Sequence, residues 1–272
     1  MSIEKEEYVE PACLLCEKPF GAEPEIRTVP QRRILEKVDE YMSRRDYAGV
    51  ERHLLYWLEE ARLGRDTRGE LMIRGELVGH YRKVRDREHA YEQAAEVLRL
   101  IDALGFGDTM SAGTEYVNVA TVYQAFGDDA RAMEVFQKAQ AVYEAIPSTR
   151  PELLGGLYNN MALACVSLGR FDEARALYEQ ALGAMARVPN GCLEQAITYL
   201  NMADAAVAEH GGETDVEPYL DKAYDLLMTE GVPHDGYFAF VCEKCAPSFD
   251  YYGYFMAAEK LKTLSKEIYE RA

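Results

Sequence analysis

The chain has 272 residues, of which 47 are acidic and 30 basic, for a formal net charge of −17. A field of that sign repels nucleic acid and anionic membrane surfaces, so neither is expected as a partner. Six cysteines are too few for a disulfide-built scaffold of this length. No run approaches the roughly 18 consecutive apolar residues of a membrane span, and the opening Met-Ser-Ile-Glu-Lys-Glu-Glu lacks the basic-then-apolar order of a secretion signal. The expectation is a cytoplasmic protein.

Residues 1–30 stand apart, with Pro11, Pro19, Pro24 and Pro30 and no sustained helical period. They read as an extended arm that orders only by packing on something else. Inside the arm lies Cys13-Leu-Leu-Cys16, a spacing at which two thiolates can hold one zinc ion if two further ligands are found. The plainer alternative is a surface turn with two free thiols. Cys242 and Cys245 repeat the spacing, but they fall in slots that other units fill with apolar residues. Three apart on one helix face, they read as packing rather than ligands.

From residue 31 onward the chain repeats itself. Tyr116-Val-Asn118-Val-Ala120, Tyr158-Asn-Asn160-Met-Ala162 and Tyr199-Leu-Asn201-Met-Ala203 place their asparagines 42 and 41 residues apart. Fourteen residues beyond the first two asparagines stand Ala132 and Ala174, then Ala139 and Ala181 seven further on, with Gly127 and Gly169 at the intervening turn. A period of this length marks a stacked helical array. The frame steps back to Glu76 and Glu36 and forward to Lys244, with a one-residue insertion near His210-Gly211-Gly212. Six units result, over about 31–63, 67–104, 109–146, 150–188, 190–230 and 234–271.

The small-residue slots, the Gly-Arg-Phe-Asp-Glu-Ala run at 169–174 and Pro189 closing its unit resemble the tetratricopeptide repeat (TPR). The resemblance covers nearly all of the chain after residue 30. It implies an all-α, right-handed superhelical solenoid of about six helix pairs, with the first helix of each unit facing a concave groove. The units are longer than usual for the family, which adds about a turn to each helix.

In the first unit Trp57 replaces the small residue, as suits a capping unit. In the second unit, eight basic residues face four acidic ones between Arg62 and Arg87. By the TPR frame its groove face holds Gly75, Glu76, Gly79, Arg82 and Lys83. Two helical glycines cost about 1 kcal/mol each relative to alanine, which implies tight packing or room for a ligand. Arg82 and Lys83 would attract an acidic side chain or a C-terminal carboxylate.

Asn118, Asn160 and Asn201 project into the groove one rung apart, and Lys244 takes the same slot in the last unit. An amide both donates and accepts hydrogen bonds, so a ladder of amides can grip the backbone of an extended peptide. Groove asparagines do this in the TPR peptide receptors of bacterial cell–cell signalling, which also have units of about 40 residues. Asparagine is also frequent in this slot across the family, which leaves a merely structural role open. Those receptors carry a DNA-binding or bundle segment before the repeats, for which residues 1–30 are too short, so a transcription regulator is not expected.

The last unit carries Phe238, Phe240, Phe249, Tyr251, Tyr252, Tyr254 and Phe255. These rings either close the unit internally or form a surface for a homodimer or another partner. The five histidines share no ligand spacing, and there is no phosphate loop, nucleophile elbow or His-Glu-x-x-His helix. The expectation is a noncatalytic, cofactor-free protein that binds an extended peptide or protein segment. The alternative is a zinc-dependent or redox assembly module using Cys13 and Cys16.

Overall fold

Alanine, leucine, glutamate and arginine fill the stretches between glycine- and proline-bearing turns, and straight-chain residues of this kind lose little freedom in a helix. The computed structural model describes residues 25–212 and 214–271. Among them it shows twelve helices and no strand. In order these are α1 (Gln31–Ser43), α2 (Tyr47–Leu63), α3 (Thr67–Lys83), α4 (Arg87–Leu104), α5 (Met110–Ala125) and α6 (Asp129–Ala145). Then follow α7 (Pro151–Ser167), α8 (Phe171–Met185), α9 (Cys192–His210), α10 (Glu217–Leu227), α11 (Gly236–Tyr251) and α12 (Phe255–Arg271). The fold is an all-α array of helix pairs.

Helix starts are set locally. Asp46, Asp86, Thr109 and Asp235 each accept backbone N–H groups of the first turn of α2, α4, α5 and α11. Pro151 opens α7, where its missing N–H leaves no bond unmade. Within several pairs one residue at the turn adopts positive φ: Gly127, Gly169 and Gly253, but Arg45 and Arg85 in the first two. Arg65 does the same between α2 and α3. Arg85 offsets its strain by donating to the carbonyl of Ala125 at 3.0 Å, near the C-terminus of α5, where a cation is favoured.

Contacts divide the chain into two compact units, Met1–Ile73 and Arg74–Ala272. In the first, α1 packs on α2 around Ile34, Val50, Leu54 and Ala61, all essentially inaccessible. Residues 25–30 of the expected arm are held here. The N–H of Arg27 donates to the carbonyl of Gly64 at 2.9 Å, and that of Val29 to the buried Asp66 carboxylate at 2.8 Å. A side chain at Gly64 would come within 2.3 Å of the Arg27 carbonyl, so glycine is what lets the two backbones meet. Cys13 and Cys16, the expected zinc pair, lie outside the described residues.

In the second unit α5 packs on α6, α7 on α8, α9 on α10 and α11 on α12. Each first helix also meets the next, α5 with α7, α7 with α9 and α9 with α11, which makes a continuous layer of first helices. The small slots do the packing: Ala120, Ala132, Ala139, Ala162 and Ala181 are fully buried. No described helix is long and apolar enough to cross a membrane.

Candidate peptide-binding face

The layer of first helices presents Asn118 on α5, Asn160 on α7, Asn201 on α9 and Lys244 on α11. The three asparagines are half-buried and Lys244 is exposed. Their bonding differs from rung to rung. Asn118 donates through Nδ2 to Glu115 Oε2 at 3.4 Å, one turn back on the same helix. Asn201 donates to Asn159 Oδ1 at 3.2 Å, so α9 and α7 are linked across the face by their amides. The Asn160 side chain has no partner among the described residues, while its backbone carbonyl accepts Gln124 Nε2 at 3.0 Å. Asn159, outside the repeated slot, thus ties two rungs together.

Glu115 is the residue that the repeat pattern passed over. It stands three before Asn118, where α7, α9 and α11 have Leu157, Thr198 and Val241. Its carboxylate rests on the bare backbone of Gly75 in α3, and a Cβ there would lie 2.6 Å from both carboxylate oxygens. One of the two unusual glycines of α3 is therefore explained by packing, whereas space beside Gly79 is open. Burial pushes the Glu115 carboxyl up to about 7, the Asn118 amide works against that shift, and the charge of Glu76 adds to it.

The far end of the layer carries a second half-buried carboxylate. Glu194 of α9 is raised by burial and partly restored by the charge of Lys244, and it accepts the Tyr237 hydroxyl of α11. Arg82 and Lys83 lie in the last turn of α3, seven and eight residues beyond Gly75, and both are exposed. The Arg82 guanidinium is nonetheless crowded enough by protein for desolvation to lower its pKa. The chain thus brings the asparagines and Lys244 onto one layer of packed helices, and places Arg82 and Lys83 at the end of a neighbouring helix.

Among the described residues no group of three or more His, Cys, Asp or Glu side chains could hold a metal ion. Cys242 and Cys245 are packed in the apolar cluster of the last pairs with Phe238, Phe249 and Leu261. Burial pushes their thiols up to about 11 and about 12, so they are unreactive packing residues. The aromatic residues of the last pair divide: Phe238 and Phe249 are fully buried, whereas Tyr251, Phe255 and Met256 beside them are 78%, 63% and 87% exposed.

Comparison with known proteins agrees with this architecture. A family model described as the tetratricopeptide repeat matches residues 153–228. BtubC (BKLC) from P. vanneervenii superimposes with a TM-score of 0.50 at 16% identity, over 90% of this chain and 92% of that one. A Podosopora anserina protein of nearly identical TPR-like repeats, described as a kinesin light chain candidate, gives 0.51 at 18% identity over 73% of this chain and 94% of its own. A single-substitution variant of that protein gives 0.52 at 18% identity over 73% and 95%. At such identities the likeness concerns fold. No curated protein sequence matches the chain. The tetratricopeptide-repeat match is seated in α7 to α10, and the same helix-pair construction continues on either side.

Proposed function

We propose that this protein is a noncatalytic scaffold that holds an extended peptide segment of a partner protein across the face formed by α5, α7, α9 and α11. The tetratricopeptide array is a protein-interaction fold, and the observation that carries the finer reading is the amide series. Three asparagines occupy equivalent positions on consecutive packed helices, and one of them, Asn160, has an unengaged side chain among the described residues. Amides at that spacing suit alternating donors and acceptors of an extended backbone, which any side-chain sequence presents. Exposed Arg82 and Lys83 at one side, and Lys244 at the other, supply charge for an acidic residue or a C-terminal carboxylate.

The test compares the wild-type chain with a variant carrying Asn118→Ala, Asn160→Ala and Asn201→Ala, after circular dichroism shows the variant folded. Each is used to capture partners from lysate, and the captured segment is then titrated against both. Losing three hydrogen bonds of about 0.5–1.5 kcal/mol each should weaken binding by more than tenfold. Equal catches and equal affinities would remove the asparagine reading.

A further inference from the structure

In the second compact unit two arginines stand over the same ring. Arg87, the first residue of α4, has its guanidinium carbon 5.1 Å from the centre of the Tyr91 ring, one turn further on. Arg131, in the first turn of α6, has its own 5.9 Å from that centre and 4.3 Å from the centre of the Tyr123 ring. Tyr91 and Tyr123 meet edge-on at 5.0 Å, and Phe126 lies 6.0 Å from Tyr91. The packing of α4 and α6 on α5 therefore brings the two cations to one corner.

The fold itself accounts for neither arginine. Both are exposed, and neither has a carboxylate within ion-pair distance among the described residues. At the start of α8, by contrast, Arg170 pairs with Glu173, and Arg175 with Asp172 and Glu209. The repeat frame supplies an internal control. One residue before the small slot, α4 has His89, α6 has Arg131 and α8 has Glu173; three before it they have Arg87, Asp129 and Phe171. Packing thus requires arginine at neither position. Each also sits in the first turn of its helix, where the macrodipole disfavours a cation.

The rings decide how these cations can be used. Stacking holds a guanidinium by its face and leaves its edge N–H groups free to donate. Such an edge matches two oxygens of a carboxylate or a phosphate. Arg85 adds a third cation at the same corner, where it donates to the Ala125 carbonyl beside Phe126. Of the acids in these turns, Asp86 is engaged by His89 at 2.7 Å and Asp129 lies beside Ser167 of α7. Asp128 and Glu88 remain, and with the net charge of −17 they oppose an extended acidic segment. One phosphate monoester instead places nearly two charges in a single compact group. Because the corner is exposed, a free phosphate would gain little enclosure, and a protein carrying the phosphate supplies further contact.

We propose that Arg87 and Arg131 bind a phosphorylated side chain of a partner protein. The site uses none of the three asparagines and does not rest on the peptide-binding reading.

The test is fluorescence anisotropy of the full chain with labelled peptide mixtures, random at the flanks and fixed at the centre as phosphoserine, serine or glutamate. The phosphoserine mixture should bind at least about tenfold more tightly than either other, and inorganic phosphate should compete only at far higher concentration. Arg87→Gln and Arg131→Gln should each weaken the phosphoserine mixture about tenfold, for loss of one charge-assisted contact. Arg87→Lys should recover only part of that, because the charge stays and the fork is lost. Arg170→Gln and the asparagine triple variant should bind the phosphoserine mixture normally. Circular dichroism checks each fold, and if Arg131→Gln is unfolded the Arg87 variants decide by themselves. Equal binding of the three mixtures, or equal phosphoserine binding by wild type and both glutamine variants, would overturn the proposal. So would an equal loss in Arg170→Gln, which would mean a diffuse charge effect, or inorganic phosphate competing as well as the peptides. A glutamate mixture as tight as the phosphoserine one would overturn the phosphate assignment.

Discussion

The third and last helix pairs share one frame and depart from it in opposite directions. In α5–α6 the departure is polar: Glu115 occupies a slot that is Val241 in α11. In α11–α12 the departure is apolar, with Tyr251, Phe255 and Met256 left largely in water. The third pair has α4 on one side and α7 on the other. A carboxyl placed there needs a cradle, which Gly75 and Asn118 provide. Among the described residues the last pair packs against α9 alone in the first-helix layer, and its surplus rings need no cradle because they are not enclosed. Enclosure, not the frame itself, decides which departures carry an energetic cost.

The largest expected effect is at the enclosed side of the last pair. Phe249 is fully buried, with its ring edge-on to Tyr224 at 6.1 Å. Phe249→Ala should cost about 3–5 kcal/mol by chemical denaturation. In a repeat array the loss should concentrate locally, so hydrogen exchange should quicken in α11 and α12 and hardly change in α5 to α8. An even loss across all helices would break the comparison.

Next comes Glu115. Its folded-state pKa is raised from 4.5 to about 7, so the unfolded chain releases this proton more readily. The stabilisation is therefore complete below pH 4.5 and is lost as pH rises through about 7. Over that interval the wild type should lose up to about 3 kcal/mol relative to Glu115→Gln, at 1.36 kcal/mol per unit. Denaturation of both proteins at either end of the window measures the difference. Parallel pH profiles would mean that Glu115 is solvated. Smallest is Phe255→Ser on the open side of the last pair, which should shift stability by no more than about 0.5 kcal/mol. A larger loss would show that this ring is covered in solution.

The fold was legible because a stacked array states its packing rule several times. Ala120 and Ala162, or Ala132 and Ala174, can be read against each other, and each repetition removes a chance explanation. Cys242 and Cys245 were readable as packing for the same reason, since their slots in other units hold Tyr158 and Met161. The candidate face was legible only in its repeated part. Glu115 was not found, because it occurs once in a slot whose other occupants are mostly apolar. Glu115 had a signal, a carboxylate in such a slot within reach of an otherwise costly helical glycine, but pairing it with Gly75 requires knowing how α3 meets α5.

The arginines at positive φ bear on how this sequence can drift. A left-handed arginine costs about 1–2 kcal/mol of strain, and glycine in its place would relieve that while giving the unfolded chain more freedom to lose, worth about 0.5–1 kcal/mol. At Arg45 and Arg65 the two effects partly offset, so substitution between glycine and arginine changes folding by only about 0.5–1 kcal/mol, in favour of glycine. Surface charge at those turns is then open to selection for solubility or encounter with a partner. Arg85 is not free in this way, because its guanidinium also closes the end of α5. Of three turns with the same backbone, only that one should hold its arginine over evolutionary time.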